Sequence, residues 1–198
     1  MTERVEVGYG MSLEDYLARC GDDDQFEIID GEVVPMSPNA SLHDTVIRAL
    51  FRALDRFLSD NAELEVFSKT TIIQYDPSRL DWVKGSLEPD VMVVSKTDLD
   101  QAKVTTPDWE KKPYSVVPLL VIEVLSHTDR QPIVFRKIKQ YLAIGVQLVW
   151  LIDPFERTIK VYRAGQDADH PDVLKESASL TTELLPGFSL PLATLFAD

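Results

Sequence analysis

Two short apolar segments each carry a carboxylate where a buried strand is expected: residues 88–94 contain Asp90, and residues 119–125 contain Glu123. An acid in a buried strand is costly unless it is paired, protonated or bound to a metal ion. If the two strands are neighbours, both carboxylates can approach within roughly 5 Å on one face of the sheet. Two such groups, with a backbone carbonyl and waters, suit Mg²⁺ or Mn²⁺. The sequence therefore predicts a divalent-cation site at Asp90 and Glu123.

The composition limits the class of protein. A chain of 198 residues with 44% apolar residues suits one domain. No apolar run reaches the roughly 18 residues that span a membrane, and the N-terminus lacks the pattern of a signal peptide, so we expect a cytoplasmic protein with no membrane partner. The single Cys20 excludes an internal disulfide and a cysteine-based zinc site. The net charge of −13 argues against strong non-specific nucleic-acid binding without excluding a nuclease, because an acidic metal site adds negative charge itself.

Hydrophobic periodicity and turn residues predict a mixed order of helices and strands. Helices are predicted at about 12–19, 41–59 and 133–143, the first two opened by capping boxes that start at Ser12 and Ser41. Strands are predicted at about 26–29, 32–36, 66–75, 90–94, 119–125, 147–152 and 158–163. Loops are expected at 21–24, 77–85 and 96–116, and the tail is predicted to be β-rich with a short terminal helix. The strand–helix–strand unit near 119–152 implies a parallel pair with a right-handed crossover.

Three further residues are candidates for chemistry beside the two acids. A hydrolytic site needs a cation, and Lys137 borders the apolar stripe of the helix that follows Glu123, although a surface lysine with a snorkelling stem is an equal alternative. Glu27 is an acid in an apolar strand, where an outward-facing hairpin residue is the alternative. His43 lies in the first turn of the long helix, where a packed or capping histidine is the alternative. No Ser/His/Asp motif, P-loop or dinucleotide fingerprint is present.

Taken together, these residues resemble the Uma-two family of restriction-endonuclease-like proteins, within the PD-(D/E)XK nuclease superfamily. The segments that carry the resemblance are residues 26–32, His43, residues 89–91, residues 123–126, and Lys137 with Tyr141, Gly145, Trp150 and Asp153. The resemblance covers roughly residues 11–163, so we predict a single nuclease-like domain over 1–198 with its core there and a β-rich C-terminal extension at 164–198. It implies an α+β or α/β fold, a restriction-endonuclease-like mixed β-sheet flanked by helices.

The resemblance also implies roles for the candidate residues. Asp90 and Glu123 would hold Mg²⁺ or Mn²⁺, and Lys137 would orient water or stabilise charge. Glu27 would support the metal shell, and His43 would line the site. The superfamily's usual pattern has a lysine two residues after the second acid, where this chain has Leu125; Lys137 would act from the next helix instead.

The leading hypothesis is a metal-dependent endonuclease that hydrolyses phosphodiester bonds of DNA. The alternatives are a catalytically inactive nuclease-fold interaction module, which the charge of −13 and Leu125 favour, and a phosphodiesterase acting on RNA or a small molecule. We also expect a homodimer, because nucleases that cut both strands often pair two sites by two-fold symmetry. Trp109 and Tyr114 look exposed and could form the interface together with the β-rich tail, and Trp109 could equally cover the site as a lid.

Overall fold

The computed structural model describes residues 10–21, 25–36 and 40–197, so most of the turn predicted at 21–24 lies outside the described residues. Within these ranges the helices are α1 (Leu13–Gly21), α2 (Ser41–Leu58), α3 (Lys96–Thr105), α4 (Gln131–Ala143) and α5 (Leu192–Leu195), with a 3₁₀ turn at Trp109–Lys111. The strands are β1 (Met11–Ser12), β2 (Phe26–Ile29), β3 (Glu32–Pro35), β4 (Leu64–Ser68), β5 (Ile72–Asp76), β6 (Arg79–Leu87), β7 (Val91–Ser95), β8 (Leu120–Val124), β9 (Leu148–Asp153), β10 (Thr158–Arg163), β11 (Asp172–Lys175), β12 (Ser179–Leu180) and β13 (Leu190–Pro191).

The larger sheet among the described residues is mixed and has the strand order β11-β10-β9-β8-β7-β4. Its β8 and β9 are parallel and are joined through α4, while the other neighbouring pairs are antiparallel. Apolar residues of α2 pack with one face of this sheet, and those of α3 and α4 pack with the other. The expected mixed sheet flanked by helices, with a parallel pair around residues 119–152, is confirmed.

A smaller sheet has the order β1-β6-β2-β3, with β5 also paired to β6. The predicted hairpin of β2 and β3 is present, and its two turn residues, Asp30 and Gly31, have φ values of 51° and 79°. Positive φ at both positions is what a two-residue turn of type I′ requires. Some apolar residues of this sheet pack against α1. Others, among them Ile29 of β2, pack in the same apolar cluster as α4 and the larger sheet, so β2 lies beside the larger sheet.

Two predictions between residues 66 and 87 are wrong. The strand expected at 66–75 is two strands, β4 and β5, separated by a turn in which Lys69 has a φ of 49°. The loop expected at 77–85 falls mostly within β6, which pairs with β5, β1 and β2. The first half of β6 is exposed, so its sequence resembles that of a loop. Its strand conformation depends on pairing with other strands, which the local sequence does not reveal.

Two further predictions require correction near helix starts. The excursion at 96–116 contains α3, in which Leu99 alone is buried, so its sequence has almost no helical apolar pattern. Ser95 caps α3 by accepting a hydrogen bond from the Asp98 N–H at 3.3 Å. The capping box predicted from Ser41 is wrong, because Ser41 is already helical and the N-cap is Ala40, which makes no side-chain cap.

The two aromatic residues expected to be exposed are half-buried. The ring of Tyr114 lies 5.7 Å from the ring of Phe67, and the ammonium of Lys103 lies 5.5 Å from the ring of Trp109. Packing against neighbours within the chain therefore covers part of each ring, and a place for these residues in an interface or a lid stays a prediction.

The C-terminal residues complete the core on the side of α2. Leu180, Leu185 and Phe188 are buried in the same apolar cluster as α2 and Trp150, and α5 adds Leu192 and Leu195. The described part of the tail contains β11, β12, β13 and the predicted short terminal helix α5, and it is packed into the core. No helix among the described residues is long and apolar enough to cross a membrane.

Candidate functional site

The two acids predicted to work together lie at the same edge of the larger sheet. Asp90 directly precedes β7, and Glu123 lies near the end of β8. The antiparallel register pairs Val91 with Ile122, so continuing it by one residue sets Asp90 opposite Glu123. Asp90 and Glu123 are only 4% and 9% exposed. Buried acids in this position need compensating partners, and the structure supplies them from α2, from the turn after β4 and from α4.

Asp90 is held by donors on both carboxylate oxygens. The Val124 N–H donates to Oδ2 at 2.8 Å, and His43 Nε2 lies 3.2 Å from the same oxygen. The ammonium of Lys69 contacts Oδ1. His43 lies in the first turn of α2, and its Nδ1 is 3.3 Å from Asp44 Oδ1. His43 is predicted to line the site, and the structure has it in direct contact with Asp90.

Lys137 joins the second acid to Glu27. Its Nζ lies 3.0 Å from Glu123 Oε1 and 2.8 Å from Glu27 Oε1, and it also donates to the carbonyl oxygen of Glu88 at 3.3 Å. Glu27 Oε1 additionally accepts the Glu88 N–H at 2.7 Å. The Tyr141 hydroxyl, one turn after Lys137 on α4, donates to Glu123 Oε1 at 2.7 Å. Lys137 thus faces the sheet, and Glu27 faces inward rather than outward.

The pKa directions follow from burial and from these contacts. Burial raises the pKa of Glu123 to about 8, against the opposing effects of Lys137 and the Tyr141 hydrogen bond. Burial acts in the same direction on Asp90, but the His43 hydrogen bond and the charge of Lys69 outweigh it, so the Asp90 pKa is lowered. Burial lowers the pKa of Lys137, but the nearby carboxylates outweigh it and raise that pKa above its usual value. Glu123 therefore holds a proton more tightly than Asp90 does, and Lys137 stays protonated beside it.

The His43 pKa follows the same balance. Burial lowers it, and the hydrogen bond and charge of Asp90 more than compensate, so the pKa is raised. Asp44 adds a weaker contribution in the same direction.

These groups line a cavity of about 400 Å³. Its charged lining consists of five carboxylates and three permanently cationic side chains: Glu27, Glu88, Asp90, Glu123 and Asp129, with Lys69, Arg130 and Lys137. Its apolar wall includes Val34, Pro35, Ile133 and Val134. Carboxyl groups outnumber basic side chains in this lining, His43 included, so the cavity favours a further positive charge once Glu123 is ionised.

The donor chemistry suits a hard divalent cation, because carboxylate oxygens are the ligands that Mg²⁺ and Mn²⁺ prefer. Among residues 10–21, 25–36 and 40–197, no group of three or more acidic, histidine or cysteine side chains is arranged to hold an ion. Asp90 and Glu123 are the residues that would hold such an ion, and waters would have to complete its shell, as is usual for Mg²⁺. Both already have lysine contacts, so an ion would compete with an ammonium group at each carboxylate.

The structure brings all five predicted site residues, Glu27, His43, Asp90, Glu123 and Lys137, to one cavity. Their chemical roles stay predictions. Sequence reasoning missed Lys69, whose only signal is a polar interruption in the segment predicted to be one continuous strand at 66–75. It also gave no role to Tyr141, whose spacing of four residues from Lys137 places both side chains on one helix face.

Comparison with known proteins supplies an independent observation. The profile of the Uma2 family, described as "Putative restriction endonuclease", matches residues 13–193. The fold is similar to a crystal structure described as a putative nuclease belonging to DUF820, from Anabaena variabilis ATCC 29413, with a TM-score of 0.73 and 20% sequence identity. That similarity covers 94% of this chain and 97% of the other. No curated protein matches this sequence.

Proposed function

The chain belongs to the Uma2 family, and on that premise we propose that it is a Mg²⁺- or Mn²⁺-dependent endonuclease that hydrolyses phosphodiester bonds of DNA. One observation carries the proposal: Asp90 and Glu123, from adjacent strands, meet Lys137 and Glu27 in a cavity at one edge of the sheet. Buried carboxylates beside a buried lysine are costly to maintain for stability alone, and perturbed titratable groups in a cleft are typical of functional sites.

In this proposal each side chain has a distinct task. Asp90 and Glu123 bind the divalent cation, which when bound supplies an activated water and stabilises charge on the phosphate. Lys137, held between Glu27 and Glu123, places a positive charge where water or the phosphate is bound. Glu27 fixes the position of Lys137, and Tyr141 fixes that of Glu123.

The test is cleavage of plasmid and single-stranded DNA by the purified protein with Mg²⁺ or Mn²⁺, with EDTA as the control. Glu123→Gln keeps the size of the side chain and should abolish cutting, since it removes a metal-binding charge. Glu110→Gln, at an exposed acid in the 3₁₀ turn, is the matched control and should cut normally. Normal cleavage by Glu123→Gln would contradict the assignment.

A non-catalytic interaction module is the second candidate, and a specific observation favours it. Lysine contacts already compensate Asp90 and Glu123 without any ion. Thermal unfolding separates the two functions, because a metal site raises the melting temperature as Mn²⁺ is added. A module of this kind should show no such rise. Metal binding without DNA cleavage would instead direct attention to RNA or to small phosphodiesters.

We also propose a homodimer located in the cytoplasm. Two sites related by a two-fold axis would allow one assembly to cut both strands of a duplex. Sedimentation equilibrium of the purified chain tests the first part, and a mass of about twice 22.4 kDa is expected.

A further inference from the structure

The turn that follows β4 holds Asp90 through contacts that the proposed reaction does not use. The Lys69 N–H donates to the carbonyl oxygen of Asp90 at 3.2 Å, and Ser68 Oγ donates to the same oxygen at 3.0 Å. The Lys69 ammonium contacts Oδ1 of the same residue. Two hydrogen bonds to the backbone of Asp90 thus hold the turn in place, and the Lys69 ammonium lies against the Asp90 carboxylate.

Lys69 is placed there by an unusual backbone conformation. Its φ of 49° lies in the left-handed region, which is unfavourable for a residue with a Cβ. Its side chain is 33% exposed, whereas that of Lys137 is 12% exposed. Lys69 lines the cavity and has a route to solvent, so its ammonium can leave Asp90 at much lower cost than Lys137 can leave Glu123.

The oxygens of Asp90 are not equivalent. Oδ2 accepts the Val124 N–H and faces His43 Nε2, while Oδ1 is contacted by Lys69. A divalent cation bound at Oδ1 would meet the Lys69 ammonium and repel it, whereas Oδ2 is held by a backbone N–H. The long, flexible stem of a lysine allows that displacement.

We propose that Lys69 is an exchangeable counter-ion of the metal site: it neutralises Asp90 until a divalent cation binds at Oδ1, and it then contacts the phosphate of the substrate. The inference rests on the proposed function and adds to it a residue for which the family resemblance implies no role. Lysine is a common point-charge partner of phosphate, and at the cavity wall it is within reach of a nucleic-acid backbone bound there.

The test uses the full chain with two substitutions at this position. Lys69→Asn removes the charge, and asparagine tolerates the left-handed conformation, while Lys69→Arg keeps the charge. Lys103→Asn is the matched control, because that lysine is 35% exposed and pairs with Asp100 on α3, outside the cavity. Thermal unfolding in EDTA establishes that each variant is folded.

Mn²⁺ binding is measured by titration calorimetry at pH 7.5. Lys69→Asn should bind Mn²⁺ roughly tenfold more tightly than wild type, since a competing cation is gone, and such a change corresponds to about 1.4 kcal/mol. The Lys69→Arg and Lys103→Asn variants should match wild type. In Ca²⁺, Lys69→Asn should bind a fluorescent DNA duplex more weakly than wild type. The slope of the logarithm of the DNA association constant against the logarithm of the salt concentration should be smaller in magnitude by about one.

Opposite changes in metal and DNA affinity support the counter-ion role, and a merely structural role would not produce them. Unchanged or weaker Mn²⁺ binding by a folded Lys69→Asn variant would overturn it while leaving the proposed function intact. Absence of Mn²⁺ binding in both wild type and Lys69→Asn would overturn the counter-ion role and the metal-dependent function together.

Discussion

The contacts of Lys137 make its removal the most informative perturbation of stability. In Lys137→Met the stem is replaced by a side chain of similar length and the ammonium is lost. Its Nζ lies 2.8 Å from Glu27 Oε1 and 3.0 Å from Glu123 Oε1. At an effective dielectric constant of about 20, each contact between full charges is worth ~5–6 kcal/mol before desolvation is subtracted.

The desolvation of the ammonium offsets part of that sum. Removing one partner of a buried pair typically costs about 3–5 kcal/mol, because the remaining charge is left uncompensated. Both partners are close to nine-tenths buried, so that range applies without a large correction for solvent screening. We therefore expect Lys137→Met to lower the free energy of unfolding by about 3–5 kcal/mol at pH 8.5, where Glu123 is ionised in the wild type.

The pH dependence has a defined sign. Without Lys137, the pKa of Glu123 rises beyond its already raised value of about 8, so the folded state binds the proton more tightly than the unfolded state. A raised carboxyl pKa lowers the stability of both proteins as pH rises above the unfolded value of 4.5, and the two diverge only near and above pH 8, where Glu123 of the wild type loses its proton and Glu123 of the variant keeps it. The loss should therefore be smallest near pH 5 and largest at pH 8.5.

Urea unfolding in EDTA at pH 5 and pH 8.5 measures both quantities. The double variant Lys137→Met with Glu123→Gln should recover part of the loss at pH 8.5, since it removes one uncompensated acid. Lys103→Met, at a half-buried lysine on α3, serves as the control and should change stability by less than about 0.5 kcal/mol. A loss below about 1 kcal/mol at pH 8.5, or an equal loss at both pH values, would refute the reasoning.

Three further outcomes are expected. Calorimetric Mg²⁺ affinity should rise about tenfold from pH 6 to pH 7 but only about twofold from pH 8 to pH 9, because the ion must displace the Glu123 proton; a flat profile would contradict the raised pKa. Tyr141→Phe should weaken Mg²⁺ binding through loss of its 2.7 Å hydrogen bond to Glu123, with Tyr75→Phe as the control that leaves binding unchanged. Gly145→Ala should lower the unfolding free energy by about 1 kcal/mol, because φ is +107° there; equal urea midpoints would count against it.

The sequence by itself determined the elements whose signal is local. Alternation and apolar content located the strands that carry Asp90 and Glu123, and a single strand–helix–strand unit implied the parallel pairing of β8 and β9. A glycine at position 145 indicates a helix end there, and the structure has Gly145 just after α4 with a φ of 107°, where the Val146 N–H donates to the Tyr141 carbonyl oxygen at 3.0 Å. Lys137 could be named as a candidate because its helix face was readable from the spacing of neighbouring apolar residues.

Only the tertiary structure decided how the acids are compensated. Lys69 and Asp90 are separated by 21 residues, and Glu27 and the Glu88 N–H by 61, so no local pattern couples them. The same reason explains β6, whose exposed half resembles a loop until three other strands pair with it. Local periodicity reports which face of an element is buried, whereas partners across the fold are chosen by packing and by the need to compensate buried charge.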